Sequence, residues 1–311
     1  MKFIILLIVY NFSKLNAQHN MPTIDSIIDR YPAMSGQFYN DNKQLLDNDL
    51  QYYFSVAVPH ILANVVAIVS PHAAYEYSGR VAASAFNQID TTKKYEHIFV
   101  IGSSHHVFFD GASIYHTGNY IITGDTITVD TDFAKDLIQR YEIFQFGNQG
   151  HDIEHSIEVQ LPMLNYVMRN KKYKIVPILI GTDKVSTCKT IAEILLPYFN
   201  ENNLFIFSTD FSHYPKASDA QSIDAETLNA ICSNSSENLA TILSQHQKSN
   251  IKNLETSLCG WSSIFTLMYM TENIHNIKFK PIFYQNSGDV SFEKNKQNVV
   301  GYHAIGVTME D

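Results

Sequence analysis

Apolar residues along the chain gather in four short unbroken runs: VVAIVS (65–70), HIFVIG (97–102), KIVPILIG (174–181) and LFIFS (204–208). Continuous rather than alternating apolarity marks strands buried on both faces, as in a parallel sheet. Between the runs the apolar spacing lengthens to a helical period. Helices are predicted over 79–89, 156–168, 188–199, 222–232 and 261–270, with Pro162 and Pro197 expected to kink or limit the second and third. Two segments read as antiparallel: 119–130, which alternates around a Gly124-Asp125 hairpin turn, and a closing strand over 299–308. Alternating strand and helix predicts the α/β class with right-handed crossovers. The expected architecture is a single-domain α/β/α sandwich. It has a mixed, mostly parallel twisted sheet and an added antiparallel hairpin.

Composition narrows the function. Of 311 residues, 45% are hydrophobic and 17% charged, which is ordinary for a globular chain with a large core. A formal net charge of −9 argues against a nucleic-acid-binding surface. Three cysteines, Cys188, Cys232 and Cys259, make no disulfide framework and leave at least one thiol free. The first residues, MKFIILLIVYNFSKLNAQ, place Lys2 before the apolar stretch Phe3–Tyr10 and end in Ala17-Gln18. That is the three-part form of a secretory signal, too short in its apolar part to span a bilayer. Residues 1–17 are therefore expected to be a signal peptide and 18–311 the folded domain, exported or periplasmic. If the segment is instead the first element of the fold, the protein is cytoplasmic.

The polar residues that follow the apolar runs carry the chemistry. PHAAYEYSG puts His72 just past the first run, GSSHH puts His105 and His106 past the second, and TDFSH puts Asp210 and His213 past the fourth. In open α/β sheets, ligands bind outside the carboxyl ends of the strands. One such loop could be plain polar decoration; three on one edge point to a site. HDIEHSIEVQ adds Glu154, His155 and Glu158. These could be metal ligands, or could orient histidines by accepting their far N–H; the plainer alternative is a helix start favoured by the dipole. LCGWSS sets Cys259 at the start of a helix, where its thiolate is favoured.

Imidazoles with a thiolate or carboxylate make a metal site. Two histidines and a carboxylate suit nonheme iron, whereas a histidine–histidine–cysteine set suits zinc, copper or iron. An unligated histidine would act as general acid or base. No G-x-S-x-G elbow supports a serine hydrolase.

PHAAYEYSG, IFVIGSSHH, EHSIEVQLPML, FSTDFSHY, LCG and SGDVSFEKNKQNVVGY resemble, in order, the motifs of the Memo family, called AmmeMemoRadiSam system protein B in bacteria. YPAMSGQFYN and TGDTITVD resemble its N-terminal segment and hairpin, so the resemblance runs from Tyr31 to about Val307. It implies a fold similar to the catalytic subunit of class III extradiol ring-cleaving dioxygenases, which use nonheme iron. It implies a pocket lined by His72, His105, Asp210, His213 and Cys259. His72 and His105 would be metal ligands, and His213 would match the acid/base histidine, with Asp210 beside it. Cys259 stands where the dioxygenases have a carboxylate ligand, which puts ring cleavage in doubt. Ala74 and Trp261 replace the family's usual glycine and arginine. The expected cofactor is iron or copper, with zinc as the third choice. The expected function is a metal-dependent oxidoreductase. The alternative is a non-catalytic protein that binds a metal, small molecule or peptide in a vestigial pocket. Radical-SAM and AMMECR-like partners would follow only for a cytoplasmic protein.

Overall fold

The computed structural model describes residues 27–145, 149–290 and 296–310. The signal-like segment 1–17 and part of the SGDVSFEKNKQNVVGY motif lie outside the described residues. No helix among the described residues is long and apolar enough to cross a membrane.

The strands are β1 (Val65–Ser70), β2 (Ile98–Ser103), β3 (Ala112–Ile114), β4 (Tyr120–Ile122), β5 (Asp125–Ile127), β6 (Ile175–Ile180), β7 (Leu204–Ser208), β8 (Ile277–Asn286) and β9 (Gly301–Met309). The helices are α1 (Lys43–Val56), α2 (Tyr75–Phe86), α3 (Thr131–Arg140), α4 (Gln149–Asp152), α5 (Gln160–Met168), α6 (Val185–Leu195), α7 (Ala217–Cys232), α8 (Ser236–Gln247) and α9 (Trp261–Thr271). Seven strands form one sheet in the order β3-β6-β2-β7-β1-β9-β8. The four central strands run parallel; β3, β9 and β8 each join antiparallel. The fold is the mixed, mostly parallel α/β sheet expected, with β4 and β5 as a separate antiparallel hairpin.

Alternate residues of each strand feed two cores. Phe99, Ile101, Phe205, Phe207, Ile305 and Val307 pack with α3, α6, α8 and α9 on one face. Ile98, Val100, Leu204, Ile206 and Ala304 pack with α1, α2, α5 and the hairpin on the other. Burial on both faces is why these strands read as unbroken apolar runs.

Several boundaries differ from expectation for local reasons. The hairpin turn is Thr123-Gly124, because Ile122 pairs with Asp125, and Gly124 takes φ +75°. The helix expected from 156 starts at Gln160, because Ser156 and Glu158 spend their polar groups on tertiary partners. Pro162 then falls in its first turn, where a missing N–H costs little. The helix expected over 188–199 starts at Val185 and tightens to a 3-10 turn at Leu196–Tyr198, which contains Pro197. β8 is an additional edge strand, where Pro281 is accommodated at a register shift.

What positions the site is the insertion of β7 between β2 and β1. The three strands whose carboxyl ends carry His105, Asp210 and His72 are thereby adjacent.

Candidate metal centre

His72, His105 and Cys259 each offer a ligand atom within 4.8 Å of the others. His72 follows β1, His105 follows β2, and Cys259 precedes α9, whose start is tied to the end of β7. The Cys259 N–H donates to the Asp210 carbonyl at 3.0 Å, and the Gly260 N–H donates to Thr209 Oγ1 at 2.9 Å. Gly260 is required by proximity: a Cβ there would stand 2.4 Å from the Ser208 carbonyl oxygen. We expect Gly260→Ala to destabilise the fold by about 1–3 kcal/mol, the usual cost of overpacking, and to displace Cys259. Thermal unfolding checks this; an unchanged melting temperature would show that the close approach is soft.

The far nitrogens of both histidines are fixed by buried acceptors. Ser208 Oγ donates its one proton to the Ser156 carbonyl at 2.6 Å, so it accepts from His72 Nδ1 at 3.0 Å and from Gln160 Nε2 at 3.0 Å. Glu154 accepts from the His105, His155 and Ser156 N–H groups at 2.6, 3.0 and 2.9 Å, and from His105 Nδ1 at 2.9 Å. Both imidazoles therefore carry hydrogen on Nδ1. His105 Nε2 lies 3.2 Å from Cys259 Sγ, and His72 also hydrogen-bonds that sulfur. Fixing the far nitrogen sets ring orientation and raises ligand basicity.

Charge follows this geometry. Burial pushes the Cys259 thiol up, but hydrogen bonds to His105 and His72 outweigh it and bring the thiol down to about 7. Burial disfavours a charged His105, yet its bonds to Cys259 and Glu154 raise it to about 10. Both shifts favour a thiolate beside an imidazolium above about pH 7. Burial lowers His72 below the ordinary histidine value.

The remaining expected residues divide. Asp210 is buried, with its carboxyl raised by desolvation; it accepts the His72 N–H at 2.8 Å and lies 3.9 Å from both His72 Nε2 and His213 Nε2. His213 is lowered by burial, and among the described residues its Nε2 has no hydrogen-bond partner. His155 sits against the pair, its ring centroid 5.2 Å from that of His72 and 4.6 Å from that of His105. His106 is exposed, 6.1 Å from the His155 ring. Glu158 turns away from the centre. It pairs with buried Arg30 and accepts the Ala33 N–H, Met34 N–H and Tyr39 hydroxyl at 2.8, 3.0 and 2.6 Å, pinning the YPAMSGQFYN segment.

Sequence reasoning missed the supports. Ser208 and Gln160 read as strand and helix residues, and nothing in their spacing points to His72. Asp224 of α7 is wholly buried and accepts the Ser212 N–H and the Tyr284 hydroxyl, each at 2.9 Å, holding the backbone next to His213.

The Memo family profile, described as Memo-like protein, matches residues 30–306. A MEMO1 family protein of Methanosarcina mazei is 31% identical over 279 residues, covering 89% of this chain and 98% of its own. A MEMO1 family protein of Thermoplasma acidophilum is 28% identical over 278 residues, covering 89% and 97%. The protein memo-1 homolog of Caenorhabditis elegans is 28% identical over 274 residues, covering 84% and 78%. Because the profile spans the sheet and every loop that meets at the centre, this chain belongs to the Memo family.

Proposed function

We propose that the chain holds an iron or copper ion through His72 Nε2, His105 Nε2 and Cys259 Sγ, and acts as a metal-dependent oxidoreductase. The observation that carries this is the donor set itself. Two imidazoles with their far N–H groups committed to buried acceptors converge on a thiol whose proton is easily lost. Thiolate with imidazole suits copper, iron or zinc and is a poor site for magnesium or calcium. Bound there, iron or copper supplies electron transfer. Glu154 and Ser208 hold the two ligand rings in register. His213 Nε2, which has no hydrogen-bond partner among the described residues, would take or return a ligand proton. Asp210 accepts the His72 N–H and stands 3.9 Å from His213 Nε2, close enough to bias that ring's charge without a hydrogen bond.

The second reading, a non-catalytic metal-, small-molecule- or peptide-binding protein, is favoured by Cys259 itself, which stands in place of the related dioxygenases' carboxylate. Oxygen uptake by the metal-loaded chain with a reductant separates the two: steady uptake supports the oxidoreductase, and its absence supports the binding protein. On the same footing, residues 1–17 direct export, which would separate the chain from radical-SAM and AMMECR-like partners; a cytoplasmic chain would restore them.

Metal affinity should depend on pH with a defined sign. In the metal-free chain His105 keeps its proton up to about 10 and Cys259 has lost its own above about 7. An ion must displace the His105 proton, so affinity should rise by about tenfold per pH unit between roughly 7 and 10. Titrations at three pH values measure this; a flat profile would mean that His105 is not a ligand.

A further inference from the structure

The turn that carries His213 is held mostly by backbone. The Phe211 N–H donates to the Gly301 carbonyl at 2.8 Å, the His213 N–H to Thr256 at 2.9 Å and the Tyr214 N–H to Val299 at 2.7 Å, while the Gly301 N–H returns to Ser212 at 2.8 Å. The Ser212 N–H differs: its acceptor is a side chain, Asp224 Oδ1, at 2.9 Å. Tyr214 closes the turn with a left-handed backbone, φ +70°, which a bulky residue holds only where its surroundings impose it. Among these bonds, Asp224 is the side-chain anchor of a strained turn.

The anchor is a wholly buried carboxyl that meets neutral donors, the Ser212 N–H and the Tyr284 hydroxyl. Its Oδ2 lies where a side chain of β9 would otherwise stand: a Cβ at Gly301 would be 1.8 Å away. The titratable groups on the elements packed against it compensate little. From β8, Tyr284 keeps its proton, held up by burial and by Asp224. From β9, His303 shares the face of Gly301 and is lowered by burial to about 3. From the turn after β7, the charge of His213 acts on the carboxyl, but burial lowers His213 as well. Among the described residues Asp224 has no ion-pair partner. Burial therefore outweighs the hydrogen bonds and His213, and pushes the carboxyl from its ordinary 3.8 to about 6. An asparagine here would accept the Ser212 N–H and donate to the Tyr284 oxygen without burying a charge. An acid kept where an amide would sit more stably points to a use for its ionisation.

We propose that Asp224 is a positioning residue for His213 that acts as a carboxylate, holding the His213 turn tightly in neutral solution and loosely in mildly acid solution. As a carboxylate it accepts both bonds with charge assistance, which makes them about twice as strong as neutral ones. Once Oδ2 is protonated, the Tyr284 hydroxyl must turn to accept that hydrogen, and the Ser212 N–H is left on a neutral carbonyl. This rests on the proposed function only for the part His213 plays in turnover; the clamp itself needs no metal.

The test is isotope-labelled NMR of the metal-free full chain from about pH 4 to about pH 8, following the Ser212, His213 and Tyr214 amides. The Ser212 amide should shift with a midpoint near 6. Corrected for the intrinsic pH dependence of exchange, the three amides should be at least about tenfold less protected on the acid side, the worth of one charge-assisted hydrogen bond. Asp224→Asn should abolish the midpoint. A carboxyl raised in the fold contributes stability that is present below its unfolded value and lost as pH rises through about 6. Asp224→Asn should therefore melt together with wild type near the acid end and above it near the alkaline end. Tyr284→Phe, which removes a donor to the charged form, should move the midpoint up. A Ser212 amide that stays flat in wild type, a midpoint retained in Asp224→Asn, or an asparagine variant less stable than wild type at both ends would overturn the inference. If Asp224→Asn does not fold, the wild-type and Tyr284→Phe titrations decide it. A metal-loaded chain with no turnover at any pH would refute the oxidoreductase reading instead and leave these outcomes unchanged.

Discussion

His72→Ala and Cys259→Ala should each lose iron or copper, with affinity falling more than about 100-fold, while His213→Ala keeps its metal. Loss of a group that merely supports a ligand costs about 10–100-fold, so loss of a ligand must exceed that. His213 is a different case, because its Nε2 lies 3.9 Å from Asp210 and, among the described residues, it belongs to neither set of three converging donors, His72–His105–Cys259 or His105–Glu154–His155. Any turnover in His213→Ala should fall by roughly 10²–10⁴-fold, the usual size of a general acid–base contribution. Metal titration of the three variants beside wild type, followed by assay, is the check. If His213→Ala loses metal as completely as His72→Ala, His213 is a ligand and the roles assigned here are wrong.

Arg30→Met should cost about 3–5 kcal/mol of stability, the penalty for leaving a buried charge without its partner. Both side chains of the Arg30–Glu158 pair are 0% exposed. The guanidinium also donates to the His151 carbonyl at 3.0 Å and the Glu154 carbonyl at 2.7 Å. Arg30→Lys should recover little, because an ammonium cannot present three donors in that fixed fork. Since Glu154 orients His105, metal affinity should fall together with stability. Chemical denaturation measures the first effect, and a loss below about 1 kcal/mol would mean that Glu158 finds other partners.

The strands were legible because burial on both faces leaves a strand with no polar alternation to hide. The donors were legible because a histidine or aspartate just past a buried strand has few reasons to be there. Other elements carried weaker signals. Helix α1 buries only Leu46 and Leu50, so its apolar stripe is thin. Strand β8 alternates well at its start, but Pro281 interrupts the pattern. The supports were not legible at all. Ser208 can fix His72 only because β7 lies beside β1, and Glu158 meets Arg30 across 128 residues of sequence. Pairings of that kind arise from sheet order and packing, and no local spacing encodes them.

X-ray absorption of the chain loaded with one equivalent of iron or copper tests the central claim most directly. The account predicts one sulfur scatterer at about 2.3 Å and two imidazole nitrogens at about 2.0–2.1 Å, with the sulfur lost in Cys259→Ala. A spectrum with only nitrogen and oxygen neighbours, or one unchanged by Cys259→Ala, would contradict it.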